Sequence, residues 1–239
     1  MPAIALCALA AIALPACQST QATSAELAKH AKKLLHEKGL RVGRRNPRAA
    51  VTRTVVVHDA NGTAAVVEVR NRGAAQAKVP IGLTVRDAKG DTVYSNDAPG
   101  LESSLVSIPV LDKGGRTFWV NDQIPPLDGR PKAVARLGVA RGAAPSRPPR
   151  IEISHVAFGD DSSGVFVSGV VTNRSNVLQK RLVIACVARR GGRIVAAGRA
   201  VVDKLAPAPT PKPTKFTVYF IGNPKGATLS FAAPPTVLQ

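Results

Sequence analysis

Cysteine is scarce in this chain, and its placement removes whole classes of chemistry. Three cysteines occur in 239 residues, and Cys7 and Cys17 sit at the extreme N-terminal side. Only Cys186 falls in the part patterned to fold. That part can form no internal disulfide and no cysteine-built metal cluster. Aromatic residues make up 4% of the chain, with one Trp and two Tyr. Such a surface offers few stacking platforms for bases or sugar rings, and nucleic acid is not an expected partner. His30, His36, His58 and His155 show no HxxxH or HExxH spacing, so no metal site is expected. No GxSxG elbow and no phosphate-cradling loop with a Lys-Ser/Thr step is present. No catalytic residue and no cofactor can be nominated, and the expectation is a protein that is not an enzyme.

Acidic residues are also few, 15 against 33 basic ones, for a formal charge of +18. The imbalance is uneven along the chain. Residues 24–53 carry nine Lys or Arg and two Glu, residues 54–140 carry ten basic and nine acidic residues, and residues 141–239 carry fourteen and four. The positive charge thus collects after the N-terminal apolar segment and in the C-terminal part. Polyanions are the natural partners of such a distribution; a merely solubilising surface is the alternative.

Residues 3–16 (AIALCALAAIALPA) are uncharged. The run is shorter than the ~20 residues that cross a bilayer as a helix, and matches the apolar core of an export signal. It ends in Leu14-Pro15-Ala16-Cys17, which resembles the bacterial lipobox. The resemblance implies cleavage before Cys17 and acylation of its thiol, with a plain apolar segment as the alternative. Thr23-Ser24-Ala25-Glu26 then reads as a capping box. Leu27, Ala31, Leu34 and Leu35 share one helical face, and Gly39 is a plausible stop. This helix carries Lys29, Lys32, Lys33 and Lys38, and Arg41, Arg44, Arg45 and Arg48 follow. Basic residues beside an anionic bilayer each add about 1 kcal/mol of attraction. A membrane-hugging arm and a solvated tether both fit.

The rest of the chain repeats itself. At a shift of 102 residues, Asp59 meets Asp161, Gly62 meets Gly164, Val69 meets Val171, Asn71-Arg72 meets Asn173-Arg174, Lys78 meets Lys180, and Val85 meets Val187. Later, Phe118-Trp119-Val120 matches Phe216-Thr217-Val218 at a shift of 98. Each copy reads as about seven short strands separated by Gly, Asn and Asp turns, the pattern of a β-sandwich. Pro80 lies inside one predicted strand and is expected at its start or at a sheet edge. Gly142–Pro149 is Pro-rich and reads as a semi-rigid linker. The expected organisation is a signal peptide at 1–16, a basic helical arm at 17–50, a first sandwich at 51–140, a linker at 141–150 and a second sandwich at 151–239. The fold class is therefore mainly β: two tandem immunoglobulin-like β-sandwiches after a signal segment and a short basic helix.

The order "strand, Asn-polar, strand, Gly turn, strand, late Phe-x-Val", with the step Val85-Arg86-Asp87-Ala88-Lys89-Gly90, resembles the FxLYD-type and YcfL-like modules of bacterial envelope lipoproteins. In the second copy Arg189 replaces Asp87. The resemblance implies a sandwich fold and an envelope location, and it carries no catalytic residues to transfer. Within the second copy, Lys180, Arg181, Arg189, Arg190 and Arg193 are the polyanion-binding candidates, forming one patch if their strands pair as a hairpin. The partner would be an envelope protein or an anionic cell-wall polymer. The location would be outside the cytoplasm, lipid-anchored and facing the periplasm or the exterior. A soluble accessory module of a hydrolase system, of the carbohydrate-binding kind, is the alternative. Cys186 lies in an apolar strand and reads as a small buried hydrophobe. Asp59 and the Asp160-Asp161 pair supply too few oxygens for Ca²⁺ and read as hairpin turns.

Overall fold

The computed structural model describes residues 39–209 and 211–239. Cys17, the apolar segment before it and the helix expected to carry Lys29, Lys32, Lys33 and Lys38 lie outside those residues. The first half is built from β1 (Ala49–Asp59), β2 (Gly62–Asn71), β3 (Gln76–Arg86), β4 (Thr92–Ser95), β5 (Ser107–Leu111), β6 (Arg116–Ile124), β7 (Lys132–Leu137) and β8 (Gly142–Ala143). The second half holds β9 (Ile151–Asp161), β10 (Gly164–Asn173), β11 (Gln179–Arg190), β12 (Arg193–Leu205), β13 (Thr214–Tyr219), β14 (Ile221–Gly222) and β15 (Thr228–Ala232). Leu105 lies in a helical turn, Ser103–Val106, and is buried there.

The two halves place equivalent strands in equivalent positions. In the first, the antiparallel sheet β1-β2-β6 faces a sheet centred on β3, which pairs with β4, β5, β7 and β8. In the second, β9-β10-β13 faces β14-β12-β11-β15. Each pair of sheets encloses its own core. Val67, Val69, Ile81, Leu83, Val85 and Trp119 fill the first. Val167, Val171, Leu182, Ile184, Cys186 and Phe216 fill the second. Alternate residues of each strand supply these side chains, as a pleated strand requires.

The equivalence differs in detail from an ungapped shift. Lys78 and Arg181 both have left-handed backbone (φ 52 and φ 48), and both are skipped in the ladders that flank them. Gln76 and Gln179 open their strands, both buried. Lys78 therefore corresponds to Arg181, a shift of 103, and not to Lys180. Val85 corresponds to Ala188; both face their own core, whereas Val187 points the other way. The second copy has one more residue between Asn173 and Gln179 than the first has between Asn71 and Gln76. In a strand, a one-residue slip exchanges the two faces. The late aromatic shifts likewise. Trp119 sits opposite Val67, and Phe216 sits opposite Gly169, the residue equivalent to Val67. Phe216 thus corresponds to Trp119, while Phe118 faces out of the first core.

Pro80 is neither a strand start nor at a sheet edge. It lies inside central β3, buried, where β3 exchanges partners. Residues 76–80 pair with β5, residues 76–77 with β8, and residues 81–86 with β7. Its missing N–H coincides with this break, while its carbonyl accepts from Gly138 N at 2.8 Å. The linker and arm are also partly absorbed. Gly142–Ala143 forms β8, and Asn46 N donates to Leu137 O at 2.8 Å. The chain is thus tied to the first sandwich before β1 begins.

Gly169 is small because Phe216 is large. A Cβ there would lie 2.7 Å from Phe216 Cζ and 2.8 Å from Cε1. Gly169→Ala should cost about 1–3 kcal/mol by overpacking. Pairing it with Phe216→Leu should recover part of that loss in thermal unfolding. A fully additive double variant would show that the ring is not the obstacle.

A third apolar layer joins the halves. Ala64 and Val66 of β2 and Val120 of β6 meet Ala185 and Val187 of β11, Ile194 and Ala197 of β12, and Ile221. β2 and β11 are thus covered on both faces. This is the physical reason Ala64–Val67 and Leu182–Ala188 read as unbroken apolar runs rather than as alternation. A bulge between Ala188 and Arg189 in the β11–β12 ladder turns Ile194 toward this seam while Ala196 stays in the second core. The described residues belong to one compact unit.

Candidate functional site

The seam carries charge as well as apolar area. Arg199 on β12 and Asp122 on β6 face each other across it, with side-chain exposures of 6% and 13%. Arg199 Nε donates to Asp122 Oδ1 at 2.6 Å, and the Arg199 backbone N–H donates to Oδ2 at 3.1 Å. Arg199 Nη1 also donates to Ser104 Oγ at 3.2 Å. The Ser104 carbonyl in turn accepts from Trp119 Nε1 at 2.8 Å, so one helical turn ties the first core to the seam. Asp59 closes the other end. Its Oδ1 caps the hairpin turn by accepting from Asn61 N at 2.8 Å, and its Oδ2 accepts from Gly222 N at 2.7 Å.

The five polyanion candidates of the second sandwich fall in two groups. β11 and β12 do pair as a hairpin, with Arg190 opposite Arg193 at the turn and Lys180 opposite Lys204 at the far end. Ten residues of strand separate Lys180 from Arg190, about 33 Å. Arg189, Arg190 and Arg193 are brought together; Lys180 and Arg181 are not brought to them. Two of the five are engaged in the seam. Arg189 Nη2 pairs with Glu68 of β2 at 2.7 Å, and Arg181 pairs with Glu102 of the first sandwich. Arg190 donates to the Lys225 carbonyl. Lys180 and Arg193 are exposed. Of the arm, Arg41, Arg44, Arg45 and Arg48 are exposed on the segment that lies against the first sandwich.

No protein-family model matches this chain, and no curated protein matches its sequence.

The remaining reactive side chains are dispersed. Cys186 is fully buried in the second core, and burial pushes its thiol up to about 12, far from the range of a nucleophilic thiolate. His155 is exposed beside Ser154 Oγ at 3.0 Å, and His58 is half-buried on β1. Asp161 Oδ1 caps its turn by accepting from Ser163 N, and its Oδ2 accepts from the Tyr219 hydroxyl at 2.8 Å. That bond holds the Tyr219 phenol above its ordinary pKa. Among the described residues no three His, Cys, Asp or Glu side chains gather as a metal-ligand set. Trp119 is buried in the first core.

What sequence reasoning missed is the seam itself. Asp122, Arg199, Glu68 and Ser104 were not singled out, because each is an ordinary polar residue in its own strand or turn. The available signal was indirect: antiparallel strands apolar on both faces must be covered twice.

Proposed function

We propose that the chain is a non-catalytic lipoprotein of the bacterial cell envelope, tethered through Cys17, whose paired sandwiches present a basic surface to an anionic polymer or a protein partner. The observation that carries this reading is the seam. A third core and the Arg199–Asp122 pair couple the sandwiches, so their loops and basic side chains are held in a fixed relation rather than flexing about a linker. Such pre-organisation lowers the ordering cost of binding an extended partner. The loose resemblance to FxLYD-type and YcfL-like envelope modules agrees with this reading, as does the lipobox-like Leu14–Cys17. Acyl chains contribute ~0.8 kcal/mol per buried CH₂, and the basic arm adds electrostatic hold on the same bilayer.

The test is metabolic labelling with a fatty-acid analogue in a bacterial host. The parent chain should take up label and fractionate with membranes, and Cys17→Ala should lose both. Label persisting in Cys17→Ala, or a product still beginning at Met1 in the cytosol, would overturn the reading.

A further inference from the structure

The ladder between β2 and β6 contains an arrangement that is unfavourable as it stands. Arg70 lies directly opposite Arg116. Like charges directly opposed across antiparallel strands are destabilising. Both side chains are exposed, and among the described ion pairs neither meets a carboxylate. The carboxylate two residues away on the same face, Glu68, is already taken by Arg189 from the opposite wall of the seam at 2.7 Å. Arg72 adds a third positive charge at the end of β2. These four arginines, Glu68 and Phe118 line a cleft of about 490 Å³ at the mouth of the seam.

We propose that this cleft binds a phosphoryl group. Four guanidinium groups against one carboxylate leave a surplus of three positive charges, which a multiply charged oxyanion offsets and a chloride does not. Guanidinium forks match phosphate oxygens two at a time. An anion between Arg70 and Arg116 converts their repulsion into two attractions. Arg189, held by Glu68, contributes from the second sandwich, so the site is complete only when the seam is closed. The assignment rests on the reading of this chain as a binding module, but not on its export or its lipid.

The experiment uses the full-length chain in mild detergent and compares thermal unfolding in sodium phosphate, sodium pyrophosphate and sodium chloride at matched ionic strength. A ligand at about 100 times its Kd should raise Tm by about 5 °C or more in a chain of this size. Phosphate and pyrophosphate should do so over chloride. Arg70→Gln with Arg116→Gln should unfold no earlier than the parent in chloride, since a repulsion is removed, and should lose the phosphate increment. Should that double variant not fold, Arg72→Gln alone should reduce the increment. Equal increments from phosphate and chloride, or an increment retained in these variants, would overturn the site. A chain that is not acylated at Cys17 would still respond to phosphate, and an acylated chain could fail to respond, so the two proposals fail separately.

Discussion

Asp122→Ala should cost about 3–5 kcal/mol, because it strands a buried guanidinium. Arg199 is 6% exposed, and its only carboxylate partner among the described residues is Asp122, which receives both its Nε and its backbone N–H. With the carboxylate gone, Arg199 keeps Ser104 Oγ at 3.2 Å, a neutral acceptor for one of its donors. The Arg189–Glu68 pair is the internal control. Its side chains are 27% and 24% exposed, so water replaces a lost partner and Glu68→Gln should cost about 1 kcal/mol or less. Asp122→Asn should fall between, since the amide oxygen still accepts one bond. Urea unfolding of the full-length chain, followed by Trp119 fluorescence, reports the series. Trp119 is well placed as a probe, because its indole donates to the same helical turn that touches Arg199. A loss below about 1 kcal/mol for Asp122→Ala would mean that the seam opens to water, and the rigid coupling invoked for function would go with it.

The strands were legible in the sequence because turns and alternation mark them. Asp59-Ala60-Asn61-Gly62 becomes the tight β1–β2 turn, and Val79, Ile81, Leu83 and Val85 face the first core together. What alternation cannot supply is phase in a run that is apolar throughout. Leu182–Ala188 has hydrophobic residues on both faces because both faces are covered, so nothing in it distinguishes Val187 from Ala188. The ungapped match to Val85 therefore selected the wrong one. The charged cluster was legible as composition but not as geometry. Lys180 and Arg190 are close in sequence terms and lie at opposite ends of one long strand. Arg70 and Arg116 carry no signal in the sequence, because the first copy is nearly neutral in sum. A local surplus is hidden when the compensating carboxylates lie elsewhere on the sandwich or, like Glu68 and Glu102, are committed to arginines of the second. The position of Pro80 is not legible in the sequence, because it depends on β3 changing partners midway, a property of the sheet and not of the strand.

Asn71→Ala should cost about 3–4 kcal/mol, and the equivalent Asn173→Ala about 2 kcal/mol, when both are measured by urea unfolding. The shared Asn at the end of β2 and β10 is a lock. Asn71 is 1% exposed. Its amide donates to the carbonyls of Ala74 at 2.9 Å, Leu111 at 3.3 Å and Asp112 at 2.8 Å, and its oxygen accepts from Gly73 N at 3.1 Å and Gln76 Nε2 at 2.9 Å. Gln76 passes the connection on by accepting from Asn46 Nδ2 at 2.9 Å. Truncation at 71 therefore leaves buried carbonyls without a donor and Gln76 without its acceptor, and it loosens the segment that enters β1. Asn173 repeats the local part of this. It donates to Val177 O at 2.7 Å and accepts from Ser175 N and Oγ at 3.0 and 2.7 Å. Its link to Leu205 O is long, at 3.5 Å, and Gln179 turns instead to the end of the chain, accepting from Thr236 N at 2.9 Å and donating to Val237 O at 2.9 Å. The second lock thus has one polar partner fewer to orphan. Asn71→Asp should be at least as damaging as alanine, since a carboxylate cannot donate and would face three carbonyl oxygens. Equal losses at 71 and 173 would show that the Gln76–Asn46 relay contributes nothing. A loss at 71 below about 1 kcal/mol would show that water replaces the amide, and that the duplicated Asn is a relic of sequence rather than the element that closes each sandwich.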